Sequence, residues 1–202
     1  MKKLVLAVLL LVGTAAYADN LSFIGPTANG EYGPYTMSLN GTATQMICFS
    51  GENWISASEG SWSVVAYTST TVVGPVSGTA FAGSSAQYNE LGYLANELFA
   101  DPGDPNLQLA IWSVLGLSGT FGTTTQSNKD VTDASNAVNK PDGYVTSDLF
   151  YIPIATNGDP LPFVNGTTPQ PFIAETPEPS SLALLVAGML ALMLLMIRRG
   201  RA

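Results

Sequence analysis

The sequence predicts an α+β fold: a single mixed domain of β-hairpins and sheet with two to three short helices, set between an N-terminal signal peptide and a C-terminal transmembrane helix. Three observations carry that expectation. Apolar and polar residues alternate on either side of Asn40-Gly41, a dipeptide suited to a two-residue hairpin turn. Apolar residues recur at helical spacing in two adjoining stretches between Tyr88 and Leu115. Both ends of the chain are apolar and flanked by basic residues, whereas the body between them is almost free of lysine and arginine.

At the N-terminus, Lys2 and Lys3 precede an apolar run over 4–12, and Ala16-Tyr17-Ala18 supplies a small-x-small site. This is the pattern of a secretory signal peptide over 1–18, cleaved after Ala18. The run is too short to span a bilayer, which needs about 20 apolar residues. Residues 19–34 carry the turn signals Gly25-Pro26, Asn29-Gly30 and Gly33-Pro34 and read as irregular. Residues 35–39 read as a strand, Asn40-Gly41 as its turn, and 45–49 as the partner strand containing Cys48. Further strands are expected over 62–67 and 70–73.

Residues 88–100 place Leu91, Leu94, Ala95, Leu98 and Phe99 on one helical face. Asp101-Pro102-Gly103-Asp104-Pro105 stops that helix and begins another, with Asp104 as N-cap and Pro105 in the first turn. Leu107, Ala110, Ile111, Val114 and Leu115 form the second stripe, ended by Gly116. A third short helix is expected over 130–138, and a strand over 144–154. Residues 19–155 thus read as the extracytoplasmic domain, and 156–176 as a Pro/Gly-rich linker.

The C-terminal end has three parts. Pro177-Glu178-Pro179 precedes an apolar helix over 182–197, and Arg198, Arg199 and Arg201 follow. With Ser180 and Ser181 the helix is about 27 Å long, near the hydrocarbon thickness of a bilayer. The arginines favour the cytoplasmic face, which puts the body outside. This order of parts, over about the last 28 residues, resembles the PEP-CTERM sorting signal. Pro169-Gln170-Pro171-Phe172-Ile173 resembles the lead-in of one group of such proteins. The resemblance implies an exported protein held by one membrane pass, its C-terminus cytoplasmic, until a membrane-embedded exosortase recognises and cleaves the tail. The product is expected at the cell surface or outside the cell, as a structural or interaction protein whose partner is extracellular polysaccharide or a surface protein.

Composition narrows the chemistry. Between Asp19 and Thr176 only Lys129 and Lys140 are basic, against fourteen acidic residues, a net −12. Such a surface repels nucleic acid, and no basic patch exists to bind it. Histidine is absent, which rules out Ser-His-Asp and Cys-His catalysis and His-based zinc sites. The chain is therefore not expected to be an enzyme or to need a cofactor or metal. One cysteine cannot form an internal disulfide, so the domain rests on its apolar core.

One constellation carries chemistry. Cys48 lies in Met46-Ile47-Cys48-Phe49-Ser50 and Gln108 in Leu107-Gln108-Leu109-Ala110-Ile111-Trp112. The pair resembles the two halves of the thioester domain of bacterial surface adhesins. The resemblance implies that the Cys48 sulfur displaces ammonia from the Gln108 side-chain amide, leaving an internal thioester that captures surface amines or hydroxyls. Two other uses of Cys48 stand beside it: a small buried residue in a strand, or an intermolecular disulfide in an oxidising compartment. Asp101 and Asp104 lack the full spacing of a calcium loop and read as turn and cap. Glu90 with Glu97, or Glu52 with Glu59, are the conceivable carboxylate pairs, with solvated faces the default. Trp54, Trp62 and Tyr67 read as core before sugar platform. Asn40-Gly41-Thr42 and Asn165-Gly166-Thr167 match a glycosylation pattern that is weak in a bacterial chain.

The sorting reading makes a direct prediction. Glu178→Ala is expected to block tail removal, so intact mass of the cell-derived protein shows the C-terminal segment retained and fractionation finds the chain in the membrane. Unchanged processing in that variant counts against the motif.

Overall fold

A tight hairpin forms in the sheet because its turn residues accept a backbone that most residues refuse. Asn40 has φ 52° and Gly41 φ 85°, so both central residues are left-handed, the geometry that matches strand twist across a two-residue loop. The computed structural model describes residues 18–25, 32–51, 60–155, 158–161 and 169–175. Around that turn β2 (Tyr35–Leu39) pairs antiparallel with β3 (Thr42–Cys48), from Leu39↔Thr42 to Tyr35↔Met46. Four more strands complete the sheet: β1 (Asp19–Gly25), β4 (Ser61–Tyr67), β5 (Leu149–Pro153) and β6 (Phe172–Ala174). The order β1-β2-β3-β6-β5-β4 closes on itself as an antiparallel barrel, β1 pairing with β4. Closure gives every described strand of the barrel a neighbour on each side, although β6 covers only the Ile47–Cys48 end of β3.

Three helices are inserted between β4 and β5, which are neighbours in the barrel. They are α1 (Ser85–Ala100), α2 (Pro105–Val114) and α3 (Thr125–Val138), and they pack pairwise on one another. Side-chain caps set their starts. Ser84 and Gln87 form a reciprocal capping box for α1, Thr124 and Ser127 do so for α3, and the Asp104 carboxylate accepts the Asn106 N–H at 2.8 Å for α2. The helical unit meets the barrel through aromatic contacts: Tyr88 of α1 lies edge-on to Phe150 of β5 at 4.9 Å and to Phe49 at 6.4 Å. The strand ends at this junction are buried on both faces, with Ile47, Cys48, Phe150, Ile152, Phe172 and Ile173 almost fully enclosed.

The mixed α+β class and the three helices agree with the sequence reading, but several segments differ. Residues 19–34, read as irregular, contain β1, which pairs on both sides; Asn20 to Phe23 do alternate, but the stretch is short and the Gly25-Pro26 turn signal follows at once. Residues 70–73 form turns rather than a strand, because the hydroxyls of Thr68 and Thr71 bond to each other and to nearby backbone. The strand read over 144–154 is ordered as a ladder only from Leu149 to Pro153. The linker read over 156–176 is corrected most: Phe172–Ala174 is β6, fully buried, and it closes the barrel between β3 and β5. Two prolines before three apolar residues gave no strand period to recognise. The α1 and α3 starts lie upstream of the expected positions because capping hydroxyls, not apolar residues, fix them. The hydrophobic part of the signal peptide, the motif at 177–179, the helix at 182–197 and the three arginines lie outside the described residues. Among the described residues no helix is long and apolar enough to cross a membrane.

A polar joint secures the return from α3 to β5. Asn89 Oδ1 of α1 accepts the Thr146 N–H at 3.2 Å, and the Thr146 hydroxyl donates to Asp148 Oδ2 at 2.6 Å while accepting the Asp148 N–H at 3.0 Å. Gly92 lets the helix approach: a Cβ there would lie 2.3 Å from Thr146 Oγ1. Burial raises the Asp148 carboxyl from 3.8 to about 6, opposed by the Thr146 hydrogen bond and reinforced by Glu175. The folded chain therefore holds this proton at pH values where the unfolded chain has released it. The Asp148 contribution to stability is accordingly present below about pH 4 and lost as pH rises toward 6. Urea unfolding of Asp148→Asn is expected to lack that decline, while the wild type shows it.

Candidate functional site

Cys48 is the last residue of β3, and its neighbours are fixed by the ladder on one side and by α2 on the other. Ile47 and Cys48 pair with Ile173 and Phe172 of β6, and the Phe49 N–H continues the ladder to the Pro171 carbonyl at 3.3 Å. Above this strand end lies the first turn and a half of α2. Buried positions on α2 run without a gap from Gln108 to Trp112, as expected of a helix enclosed on more than one side. Gln108 and Trp112 are four residues apart and share a face. Both turn toward the end of β3.

The structure brings the two predicted residues together. Gln108 is fully buried and Cys48 is 1 % exposed. Gln108 Nε2 donates to the Cys48 carbonyl at 2.9 Å, and Gln108 Oε1 accepts the Gly33 N–H at 3.0 Å. The amide is thus held at both ends by backbone from separate segments. The Gly33 carbonyl in turn accepts the Gly103 N–H at 3.2 Å, tying the approach to β2 to the loop between α1 and α2. The amide orientation follows from its partners, since only nitrogen can donate to a carbonyl and only oxygen can accept from an N–H.

The sulfur sits among donors. Burial drives the Cys48 thiol up to about 11; Trp112, Tyr35 and the backbone N–H groups of Cys48 and Ser50 pull the other way. Desolvation prevails, so the group is a neutral thiol near pH 7. Trp112 Nε1 is buried without a hydrogen bond of ordinary geometry, so its pull on the sulfur is that of a poorly aligned donor. The indole is pressed against Gly51, where a Cβ would lie 2.7 Å from the ring. Tyr32 and Phe121 extend the aromatic wall at 6.2 and 4.9 Å from Trp112.

A second glutamine repeats the motif two residues on. Gln170 Nε2 donates to the Ser50 carbonyl at 3.1 Å. Ser50 Oγ and Gln170 Oε1 are buried without partners, which marks a polar spot beside the first site. Gly33, Tyr35, Ser50 and Gln170 were not singled out as site residues from sequence. Only the pattern Gly33-Pro34-Tyr35, ahead of the hairpin, and a glutamine between two prolines could have drawn notice.

The arrangement combines an acyl group, a sulfur nucleophile on the residue whose carbonyl holds that acyl group's nitrogen, and exclusion of water. It suits acyl transfer from nitrogen to sulfur. Burial of the sulfur closes the route to an intermolecular disulfide in this conformation. The remaining candidates do not assemble a site. Asp104 is engaged as a cap, and among the described residues no group of three or more metal-ligating side chains occurs. Glu97 is exposed and Glu90 half-buried on α1. Trp62 packs on Phe172 at 6.4 Å. Glu52, Trp54, Glu59 and the pattern at Asn165 lie outside the described residues.

Gln108→Ala strands two buried backbone groups, the Gly33 N–H and the Cys48 carbonyl. Each such loss is worth about 1–3 kcal/mol, so urea unfolding is expected to show a decrease of roughly 2–5 kcal/mol. A loss under about 0.5 kcal/mol would mean that water readily replaces the amide. No family model matches the chain, and neither a curated protein nor a solved structure is significantly similar to it.

Proposed function

We propose that this chain is an exported surface protein that attaches to its surroundings through an internal thioester between Cys48 and Gln108. The observation that carries the reading is the 2.9 Å hydrogen bond from Gln108 Nε2 to the Cys48 carbonyl inside a buried junction. In the forming step the Sγ–Cδ bond is made, the Cδ–Nε2 bond breaks, the thiol proton passes to the departing nitrogen, and ammonia leaves. In the capture step an amine or hydroxyl of the target attacks Cδ, forms an amide or ester, and releases the Cys48 thiol. Each chain reacts once, so the protein is a stoichiometric trap and not an enzyme. Burial keeps water from the acyl–sulfur bond until a target engages.

Export is the other half of the proposal. The signal peptide over 1–18, the Pro177-Glu178-Pro179 motif, the apolar helix over 182–197 and the arginines Arg198, Arg199 and Arg201 describe a chain delivered across the inner membrane, anchored with its C-terminus in the cytoplasm, and passed to an exosortase. The start of β1 at Asp19, directly after the proposed cleavage site, supports that boundary. The charge of the exported part suits life outside the cell in a hydrated matrix, where extracellular polysaccharide or a surface protein is the partner.

A second reading has its own observation. Both ends of the Gln108 amide are satisfied as they stand, so the residue also serves as a purely structural clamp in a protein that binds without covalent chemistry. Intact mass decides between the two. The thioester reading expects the mature chain to be lighter by one ammonia, to gain one methylamine on incubation, and to expose a free thiol as it does so. Cys48→Ala and Gln108→Ala are each expected to abolish both mass changes. A full-mass wild type that ignores methylamine leaves only the clamp.

A further inference from the structure

We propose that the peptide N–H of Gly33 is the oxyanion donor for acyl exchange at Gln108, and that position 33 is glycine so that this donor can reach the acyl oxygen; the proposal rests on the thioester reading. Glycine is usually explained by a left-handed backbone, but Gly33 is not among the positive-φ residues. Its backbone conformation is one that other residues adopt. Space is what requires glycine. A Cβ at position 33 would lie 3.0 Å from Gln108 Oε1 and 3.3 Å from the Tyr35 ring, so any side chain displaces the oxygen or the ring by a few tenths of an ångström.

The N–H is aimed at the atom where charge develops. Attack of sulfur on Cδ converts the carbonyl oxygen, Oε1, into an oxyanion, and Gly33 N is already 3.0 Å from it. The site is buried, so a fixed dipole acts there in a low dielectric and needs no rearrangement as the reaction proceeds. At the other end Nε2 becomes a more acidic donor as it takes the proton and departs, which strengthens its 2.9 Å bond to the Cys48 carbonyl. Both contacts are therefore tighter in the transition state than in the amide, which is the condition for acceleration. The same N–H faces the oxyanion when a target amine later attacks the thioester. The Gly103 N–H bond to the Gly33 carbonyl holds the peptide in place.

The test uses the full chain recovered unfolded, with the Gln108 amide still intact, and folded from denaturant, with ammonia loss followed by intact mass. Gly33→Ala keeps the N–H but moves its target. It is expected to slow ammonia loss, and the later reaction with methylamine, by about 10-fold or more, since removal of a whole oxyanion donor costs about 10²–10³-fold. A second readout needs no variant. With ¹³C-labelled glutamine, the infrared band of the wild-type thioester carbonyl is expected below that of a thioester without a hydrogen bond, and Gly33→Ala is expected to shift it back upward. Wild-type rates in a folded Gly33→Ala chain, or a wild-type band at the unbonded position, overturn the role of Gly33 and leave the thioester standing. Absence of ammonia loss in the wild type removes the thioester reading, and this proposal with it.

Discussion

A primary amide enclosed without water has two demands, an acceptor for its nitrogen and a donor for its oxygen, and Gln108 meets both with backbone from segments far apart in sequence. Gly33 N precedes the first hairpin, the Cys48 carbonyl ends it, and the amide itself rides on α2. Each unmade bond would leave a buried group stranded at about 1–3 kcal/mol, so the Gln108 amide, with the Gly103–Gly33 and Gly51–Leu117 backbone bonds, fixes the helical unit against the barrel. Aromatic packing of Tyr88 on Phe49 and Phe150 supplies apolar area at the same junction, but packing alone tolerates sliding. Directed hydrogen bonds do not.

In the proposed thioester, the same constraint fixes the Gln108 amide against the residue that carries the sulfur. A sulfur with its pKa pushed to about 11 is a poor nucleophile in isolation. Nothing in a chain without histidine supplies an obvious base. What the junction offers instead is fixed proximity, a dry interior and dipoles placed before the reaction starts. Effective concentrations reached by such orientation are worth several kcal/mol of barrier. The same burial that disfavours the thiolate also lends strength to every N–H facing the developing charge, so desolvation works on both sides of the balance.

The helices and the hairpin were legible in sequence because each leaves a local signature, whereas the meeting of Cys48 with Gln108 was implied only by the family resemblance. Asn40-Gly41 dictates a turn type, Asp104-Pro105 starts a helix, and Leu107 to Leu115 repeats at helical period. The barrel was not legible. Its closure depends on β1, whose alternation spans only Asn20 to Phe23 before a turn signal, and on β6, three residues after prolines whose role exists only through pairing with β3 and β5. Gly33 was invisible for a similar reason. As part of Gly33-Pro34 it reads as a turn signal, and its closeness to Gln108 across 75 positions is a tertiary fact. Long-range register of this kind has no period to detect.

The position of β6 also bears on how the two ends of the proposed function connect. Phe172–Ala174 is the last described strand before the tail, and its register partner for Phe172 is Cys48. If the tail is held in the membrane as proposed, tension from it would enter the domain at β6, the strand paired with Cys48. That load would fall first on the ladder from Ala174 back to Phe172, on the Phe49–Pro171 bond that continues it, and on Gln170, whose amide donates to the Ser50 carbonyl. In the proposed function a covalent bond to a target at Gln108 would load α2, so the force between anchor and trap would cross from α2 through the Gln108–Cys48 hydrogen bond to β3 and from there to β6.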